Sequence, residues 1–108
     1  MKVYVAGPYT NGDVAANVAN AIRAANKILD AGHTPFVPHL FHFWHLVYPR
    51  RYEDWTAMDM EWLKFCDVIV RLPGESRGAD MEVAWAKSKK MAVYNLGEFL
   101  ASVSIGGL

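Results

Sequence analysis

The first 37 residues carry the pattern of a strand, a glycine loop, a long helix and a second strand. Residues 2–6 are rich in β-branched and aromatic side chains and are closed by a Gly-Pro pair, which predicts a buried strand. Apolar residues then recur at spacings of three and four, which predicts a helix capped near Asn11 or Asp13 and ended at Gly32. The apolar stripe of this helix consists of Val14, Val18, Ala21, Ile22, Ala25, Ile28 and Leu29. Residues 33–37 are predicted to form a second short strand, and such a unit packs with its strands parallel.

The rest of the chain continues the alternation of helices and strands. Residues 38–53 are less regular. The predicted elements after them are a helix at 54–65, a strand at 67–72, a helix at 79–89, a strand at 91–94 and a short helix at 98–103. We therefore expect one domain spanning 1–108, with a small flavodoxin-like, doubly wound parallel sheet in three α/β/α layers.

Charge and apolar runs exclude several classes of partner. Eleven basic residues balance eleven acidic ones, so no overall field attracts a nucleic acid polymer or an anionic membrane. No apolar run approaches the roughly 18 residues that cross a bilayer, and no signal-peptide pattern is present at the N-terminus. We expect a soluble, cytoplasmic protein. The single Cys66 excludes an internal disulfide and a cysteine-based zinc site, and we expect it to be buried.

Two glycine-bearing loops follow strand ends, where doubly wound sheets bind their ligands. Gly7-Pro8-Tyr9 follows the first strand, and residues 73–78, which include Ser76, Arg77 and Gly78, follow the third. Each loop leads to a helix N-terminus, whose free N–H groups favour anions. Neither loop matches a P-loop or a dinucleotide-binding glycine motif, so two ordinary strand-to-helix turns fit the pattern equally well.

Two carboxylates lie at positions that suit chemistry. Asp59 shares the apolar stripe of its helix with Trp55 and Trp62, a costly place for a carboxylate unless it is hydrogen-bonded, paired or faces a pocket. Glu82 falls in the first turn of its predicted helix, where the helix dipole favours the ionised form and small neighbours leave room for a substrate. A structural hydrogen bond for Asp59 and simple helix electrostatics for Glu82 are the alternatives.

Three histidines, His39, His42 and His45, are spaced three residues apart. A metal site needs about three convergent ligands in a fixed geometry. Packing, or contact with a ligand's aromatic ring between histidine and tryptophan side chains, accounts for the spacing better than a metal does.

Three segments in order resemble the nucleoside 2-deoxyribosyltransferase superfamily, which includes N-glycosidases acting on nucleoside monophosphates. The segments are Lys-Val-Tyr-Val-Ala-Gly-Pro-Tyr at 2–9, Asp-Met-Glu-Trp-Leu at 59–63 ahead of Cys-Asp-Val-Ile-Val at 66–70, and Ser-Arg-Gly-Ala-Asp-Met-Glu-Val-Ala-Trp-Ala at 76–86. The resemblance covers nearly the whole chain and implies a nucleoside or nucleotide substrate, with no metal and no cofactor.

The resemblance also implies roles for individual residues. Glu82 matches the nucleophile that attacks C1′ and forms a glycosyl-enzyme ester, and Asp59 matches the carboxylate that orients the sugar and assists departure of the base. Tyr4 matches an aromatic residue that hydrogen-bonds near the nucleophile. The substrate-binding residues implied are Gly7, Pro8, Tyr9, His42, Ser76, Arg77 and Gly78. Members of the superfamily complete their sites across a dimer, so we expect a homodimer or a larger homo-oligomer.

Position 76 bears on the choice between hydrolysis and transfer. The resembled hydrolases have a serine there that holds a 5′-phosphate, as this chain does, whereas the transferases tend to have an aspartate. The hydrolases also have an arginine in the loop after the first strand. That loop here has no cation, so Arg77 or Arg71 would have to supply the charge.

Two further interpretations of the sequence remain open. The first is a nucleotide-binding or sensing domain that kept the fold without turnover. A domain that only binds has no need of Tyr4, Asp59 and Glu82 together, which speaks against this interpretation. The second is an α/β oligomer with no nucleoside role.

Overall fold

The computed structural model describes residues 1–106, with side chains described to residue 102. These residues form four strands, five α-helices and one 3-10 turn at Pro38–Leu40, and two helices follow one another between the second and third strands. The strands are β1 (Lys2–Ala6), β2 (Thr34–Phe36), β3 (Val68–Arg71) and β4 (Ala92–Tyr94). The helices are α1 (Val14–Asp30), α2 (Phe41–Val47), α3 (Tyr52–Leu63), α4 (Arg77–Ser88) and α5 (Leu96–Gly106).

The strands form one parallel sheet in the order β2-β1-β3-β4. Side chains alternate along β1, so Val3 and Val5 face the core beneath α1 and α5, while Tyr4 and Ala6 face the core beneath α3 and α4. Helices therefore cover both faces, which confirms the three-layer, flavodoxin-like α/β/α fold. The strand order reverses between β1 and β3, the position at which such sheets bind ligands.

The region between β2 and α3 is more regular than its sequence suggests. Residues 38–53 hold the 3-10 turn, helix α2 and the start of α3, two residues earlier than expected. The aromatic ring of Phe41 stacks on Trp55, and Trp44 packs edge-on against the same ring. The helix thus forms by aromatic packing on α3, and its sequence lacks the apolar stripe that would have predicted it.

Helix bounds elsewhere differ modestly from the expected ones. Asp13 caps α1 by accepting from the backbone N–H groups of Ala15 and Ala16. Ile22 and Leu29, assigned above to the apolar stripe of α1, are exposed, and the buried face of the helix consists of Val18, Ala21, Ala24, Ala25 and Ile28. Helix α4 begins at Arg77, and α5 extends from Leu96 to Gly106.

The loops after β1 and β3 approach each other closely at the switch point. A Cβ at Gly7 would lie 2.9 Å from Cβ of Leu72, so only glycine fits there without displacing the neighbouring strand end. Gly74 has a φ of +114° and lies against the ring of Pro8. Each glycine therefore lets a side chain of the other loop approach closely, and the two loops meet at the edge of the sheet where the cavity opens. Among residues 1–106, no helix has the length and apolar character needed to span a membrane.

Candidate functional site

A cavity of about 1020 Å³ opens at the carboxyl ends of β1 and β3. Its volume suits a ligand of nucleoside size. The loop after β1, helix α2, helix α3 and the N-terminal half of α4 form its walls. Chemistry-bearing side chains in the lining are Tyr9, Asn11, His39, His42, His45, Arg50, Tyr52, Trp55, Asp59, Ser76, Arg77, Asp80 and Glu82.

Glu82 lines this cavity, and a buried tyrosine fixes the position of its carboxyl group. The hydroxyl of Tyr4 donates to Oε2 of Glu82, and the Tyr4 side chain is completely buried. Burial raises the pKa of Glu82 to about 7, and the Tyr4 hydrogen bond and the charge of Arg71 oppose that rise. Burial together with the nearby carboxylate raises the pKa of the Tyr4 phenol far above its ordinary value, so Tyr4 remains a donor.

Asp59, from α3, faces the same cavity. Burial raises the pKa of its carboxyl to about 7, and the negative charge of Glu82 adds to that rise. Its Oδ1 atom is buried and has no hydrogen-bond partner within residues 1–106. A buried carboxyl oxygen without a partner is costly as an anion. The protonated form of Asp59 is therefore the less costly one.

The negative charge of Glu82 opposes ionisation of Asp59, and the pKa of each carboxyl group is raised to about 7. Tyr4 and Arg71 both favour the anion at Glu82. Every influence on Asp59 favours its neutral form. We therefore assign the proton to Asp59 and the negative charge to Glu82. A neutral acid and a buried carboxylate face one cavity, which is the combination that glycosidic chemistry uses.

The expected electrostatic origin of the Glu82 charge was wrong. Because α4 begins at Arg77, Glu82 lies in its second turn, beyond the reach of the helix N-terminus. The helix-dipole argument predicted that the ionised form of Glu82 would be favoured. Burial instead raises the pKa of Glu82 and so disfavours that form. Tyr4 and Arg71, which come from neighbouring strands, supply the stabilisation that the sequence argument assigned to the helix.

The cations near the cavity have different roles. Arg71 bridges Oδ1 of Asp80, at 2.9 Å, and the carbonyl oxygens of Leu72 and Gly74, so it is not available to a ligand phosphate. Arg77 lines the cavity and forms no ion pair within the described part of the chain. Arg50 also lines it and lies 3.4 Å from Asp54. The free cation closest to the start of α4 is thus Arg77.

Most residues assigned to binding line the cavity. Gly7, Tyr9, His42, Ser76, Arg77 and Gly78 are among the lining residues. Ser76 also caps α4, because its Oγ accepts from the backbone N–H of Ala79 at 3.1 Å. Tyr4 and Pro8 are not part of the lining. Tyr4 lies behind Glu82 and positions it, while the Pro8 carbonyl accepts from Nε2 of His39 at 3.0 Å.

Several lining residues were not singled out from the sequence. Tyr52 and Thr56 precede Asp59 by seven and three residues, so the helical periodicity around Asp59 was the signal that could have found them. Arg50 and Phe41 lie in the irregular segment and carried no such signal. Cys66, expected to be buried, is half-buried, and burial raises the pKa of its thiol to about 11. It takes no part in the cavity.

No group of three or more histidine, cysteine, aspartate or glutamate side chains in residues 1–106 is arranged to hold a metal ion. The three histidines instead form hydrogen bonds to protein atoms: His39 to Pro8, His42 to Tyr9 and His45 to Trp55. Each imidazole is thereby fixed in orientation at the cavity wall.

Comparison with known proteins agrees with this architecture. A family model described as a domain of unknown function (DUF7768) matches residues 1–96. No curated protein matches the chain in sequence. Five solved chains match it in structure. One is the 2-deoxyribosyltransferase of the psychrotolerant bacterium Bacillus psychrosaccharolyticus, at 21% identity and a TM-score of 0.62, covering 86% of this chain and 69% of that one. The likeness establishes a shared fold.

Proposed function

The chain belongs to the DUF7768 family, and we propose that it acts on the N-glycosidic bond of a nucleoside or nucleoside 5′-monophosphate, with Glu82 as nucleophile. The observation that carries the proposal is the trio of Tyr4, Asp59 and Glu82, brought together from β1, α3 and α4 at one end of the cavity. The structural likeness to a 2-deoxyribosyltransferase supports nucleoside chemistry on this fold.

In the first step, Oε1 of Glu82 attacks C1′ of the sugar. The bond between C1′ and the base nitrogen breaks, and its electron pair leaves with the base. Protonated Asp59 donates a proton to the departing base, so the base leaves as a neutral species. The hydroxyl of Tyr4 holds Oε2 and leaves the other carboxylate oxygen for attack.

In the second step, an acceptor attacks C1′ from the face that the base has left. Asp59, now ionised, takes the acceptor's proton, and Glu82 leaves as a carboxylate. Water as acceptor makes the protein a hydrolase, and a second base makes it a transferase. The cavity is wide enough to hold a sugar and a base together, so it accommodates either acceptor.

The direct test is incubation of the protein with a panel of nucleosides and their 5′-monophosphates, with release of free base followed by chromatography. We expect release from at least one substrate class. Adding a second base distinguishes the branches, since exchange that outruns hydrolysis identifies a transferase. Absence of base release across the panel would contradict the proposal and favour a binding domain.

We expect a 5′-monophosphate to be preferred over its nucleoside by about 10- to 1000-fold in kcat/KM, because a few charge-assisted hydrogen bonds at the start of α4 would hold the phosphate. Ser76, Arg77 and Gly78 lie there at the cavity wall. Arg77→Ala should remove much of the preference and leave nucleoside turnover nearly unchanged.

Arg23→Ala is the matched control, since Arg23 is exposed on α1 and its guanidinium bonds only to Asn20 among the described residues. Equal efficiency for a nucleoside and its monophosphate in the wild-type protein would contradict the phosphate assignment. The glycosidic proposal would stand in that case.

We also propose that the chain forms a homodimer through α2. This helix and the residue after it expose large apolar side chains, namely Phe43, Trp44, Leu46, Val47 and Tyr48, and exposed apolar patches typically mark interfaces. Light scattering at micromolar concentration should report a dimer, and Leu46→Asp should convert it to a monomer. Leu29→Asp is the control, because Leu29 is 59% exposed on α1 and Leu46 is 62% exposed. A wild-type monomer would contradict this proposal.

A further inference from the structure

His39, His42 and His45 differ in which ring nitrogen remains free of protein hydrogen bonds. Our inference rests on the function proposed above and concerns recognition of the leaving base. His42 and His45 lie on α2, whose seven residues include no carboxylate, and both line the cavity. His39 lies in the preceding turn and is 6% exposed.

The hydrogen bonds of His45 fix the position of its ring proton. Its Nδ1 accepts from Nε1–H of Trp55 at 2.9 Å and from the backbone N–H of Arg50 at 3.2 Å. A nitrogen that accepts two N–H groups carries no proton, so the ring proton lies on Nε2. Nε2 has no hydrogen-bond partner within residues 1–106 and belongs to a ring that lines the cavity. His45 thus offers an N–H donor to a ligand.

His42 reaches the same state through a different partner. The Tyr9 hydroxyl and Nδ1 of His42 are 2.5 Å apart. A phenol O–H is a stronger donor than an imidazole N–H, and an imidazole nitrogen is a stronger acceptor than a phenol oxygen, so the Tyr9 hydroxyl donates to Nδ1. Nδ1 therefore accepts, and the proton of the ring lies on Nε2. His42 offers a second N–H donor, one helical turn from the first.

His39 has the opposite arrangement. Its Nε2 donates to the carbonyl oxygen of Pro8 at 3.0 Å, and its Nδ1 is buried without a partner in the described chain. It secures the loop after β1 and presents no donor to the cavity. Two of the three histidines therefore line the cavity with an Nε2–H group that has no partner among the described residues.

A flat aromatic wall lies beside these two donors. Trp55 stacks on Phe41 with ring centroids 5.8 Å apart and an interplanar angle of 20°, and both side chains line the cavity. The His45 ring packs edge-on against Trp55, also at 5.8 Å. Aromatic faces bind planar heterocycles by stacking. The wall suits the base, while the sugar lies towards Asp59 and Glu82.

We propose that His42 and His45 select a leaving base that carries two adjacent hydrogen-bond acceptors on one edge, as a 6-oxopurine does. O6 and N7 of a 6-oxopurine both accept, whereas a 6-aminopurine places an amino donor beside N7. That donor would face another donor, and neither would be satisfied.

The test measures binding of free bases, which requires no catalysis. Wild-type protein should bind hypoxanthine about 10- to 100-fold more tightly than adenine in calorimetry, from one hydrogen bond gained and one donor clash avoided. His42→Phe and His45→Phe should each reduce the ratio to about threefold or less. His33→Phe should keep it, since His33 packs on Phe99 on the other face of the sheet.

A second probe needs no substitution. Hypoxanthine in which carbon replaces N7 should bind about tenfold more weakly than hypoxanthine itself. Equal affinity for hypoxanthine and adenine, undetectable binding of both, or an intact ratio after both histidines are replaced would overturn the proposal. A preference for hypoxanthine without cleavage of any nucleoside would contradict the proposed function and support the role of the histidines. Nucleoside cleavage without a base preference would support the proposed function and contradict the role of the histidines.

Discussion

Replacing Glu82 by glutamine is expected to lower base release by at least about 10³-fold, because an amide cannot form the glycosyl ester of the proposed mechanism. The fold should survive, since the amide oxygen of glutamine still accepts from the Tyr4 hydroxyl. The substitution also removes a charge that is costly to bury. Thermal unfolding of Glu82→Gln should therefore occur at the wild-type temperature or above it. Chromatography of released base and calorimetry together measure both effects.

Glu61→Gln is the matched control for this experiment. Glu61 lies on α3, its side chain is 70% exposed and its partner is Lys64, so the same chemical change is made away from the cavity. Full activity in Glu61→Gln with none in Glu82→Gln is the expected pair of results. If Glu82→Gln released base at close to the parent rate, Glu82 would not be the nucleophile.

Replacing Asp59 by asparagine is expected to lower kcat/KM by about 10²- to 10³-fold and to change its dependence on pH. The proposed mechanism requires ionised Glu82 and protonated Asp59, and both groups have pKa values raised to about 7. The pair should give a bell-shaped profile centred near neutral pH, with apparent pKa values that belong to the pair. The amide of the variant has no proton to lose in this range, so the alkaline limb should disappear while the acid limb remains.

Substrates with different leaving groups sharpen this test. A base that departs easily without protonation should be affected less by Asp59→Asn than a base that needs a proton. Asp30→Asn is the control, because Asp30 lies at the exposed end of α1, and it should leave the pH profile of kcat/KM unchanged. An unaltered alkaline limb in Asp59→Asn would show that Asp59 is not the acid.

Stability should change with pH in a direction that the raised pKa of Asp59 determines. Its folded-state pKa is about 7 against an ordinary value of 3.8. The folded state therefore binds more protons between these values, and stability falls as pH rises from about 4 to about 7. Asp59→Asn should match the wild type near pH 4 and exceed it at pH 8 by ~1–3 kcal/mol. Urea unfolding at the two pH values measures the difference.

The sequence predicted the layers of the fold more reliably than the ends of its elements. The βαβ pattern of residues 2–37 specified a parallel sheet, because strands joined by a crossover helix have only that arrangement. Helix α2 escaped prediction because its stability comes from stacking of Phe41 on Trp55, a contact with a different helix. An early start of α4 at Arg77 followed from the Ser76 cap.

The sequence alone determined that two predicted helices carry carboxylates, Asp59 and Glu82, and that the first strand carries the aromatic residue Tyr4. Only the tertiary structure decided the hydrogen bonds and the ionisation of these groups. We assign the negative charge to Glu82 because Tyr4 from β1 donates to it and Arg71 from β3 attracts it, while Asp59 is enclosed without a partner for its Oδ1 atom in the described chain. A pKa depends on burial and on charges brought near by folding, and neither quantity is present in a helix considered alone. The histidines follow the same rule, since their spacing is visible in the chain but Tyr9, Trp55 and Pro8 decide which nitrogen of each ring carries the proton.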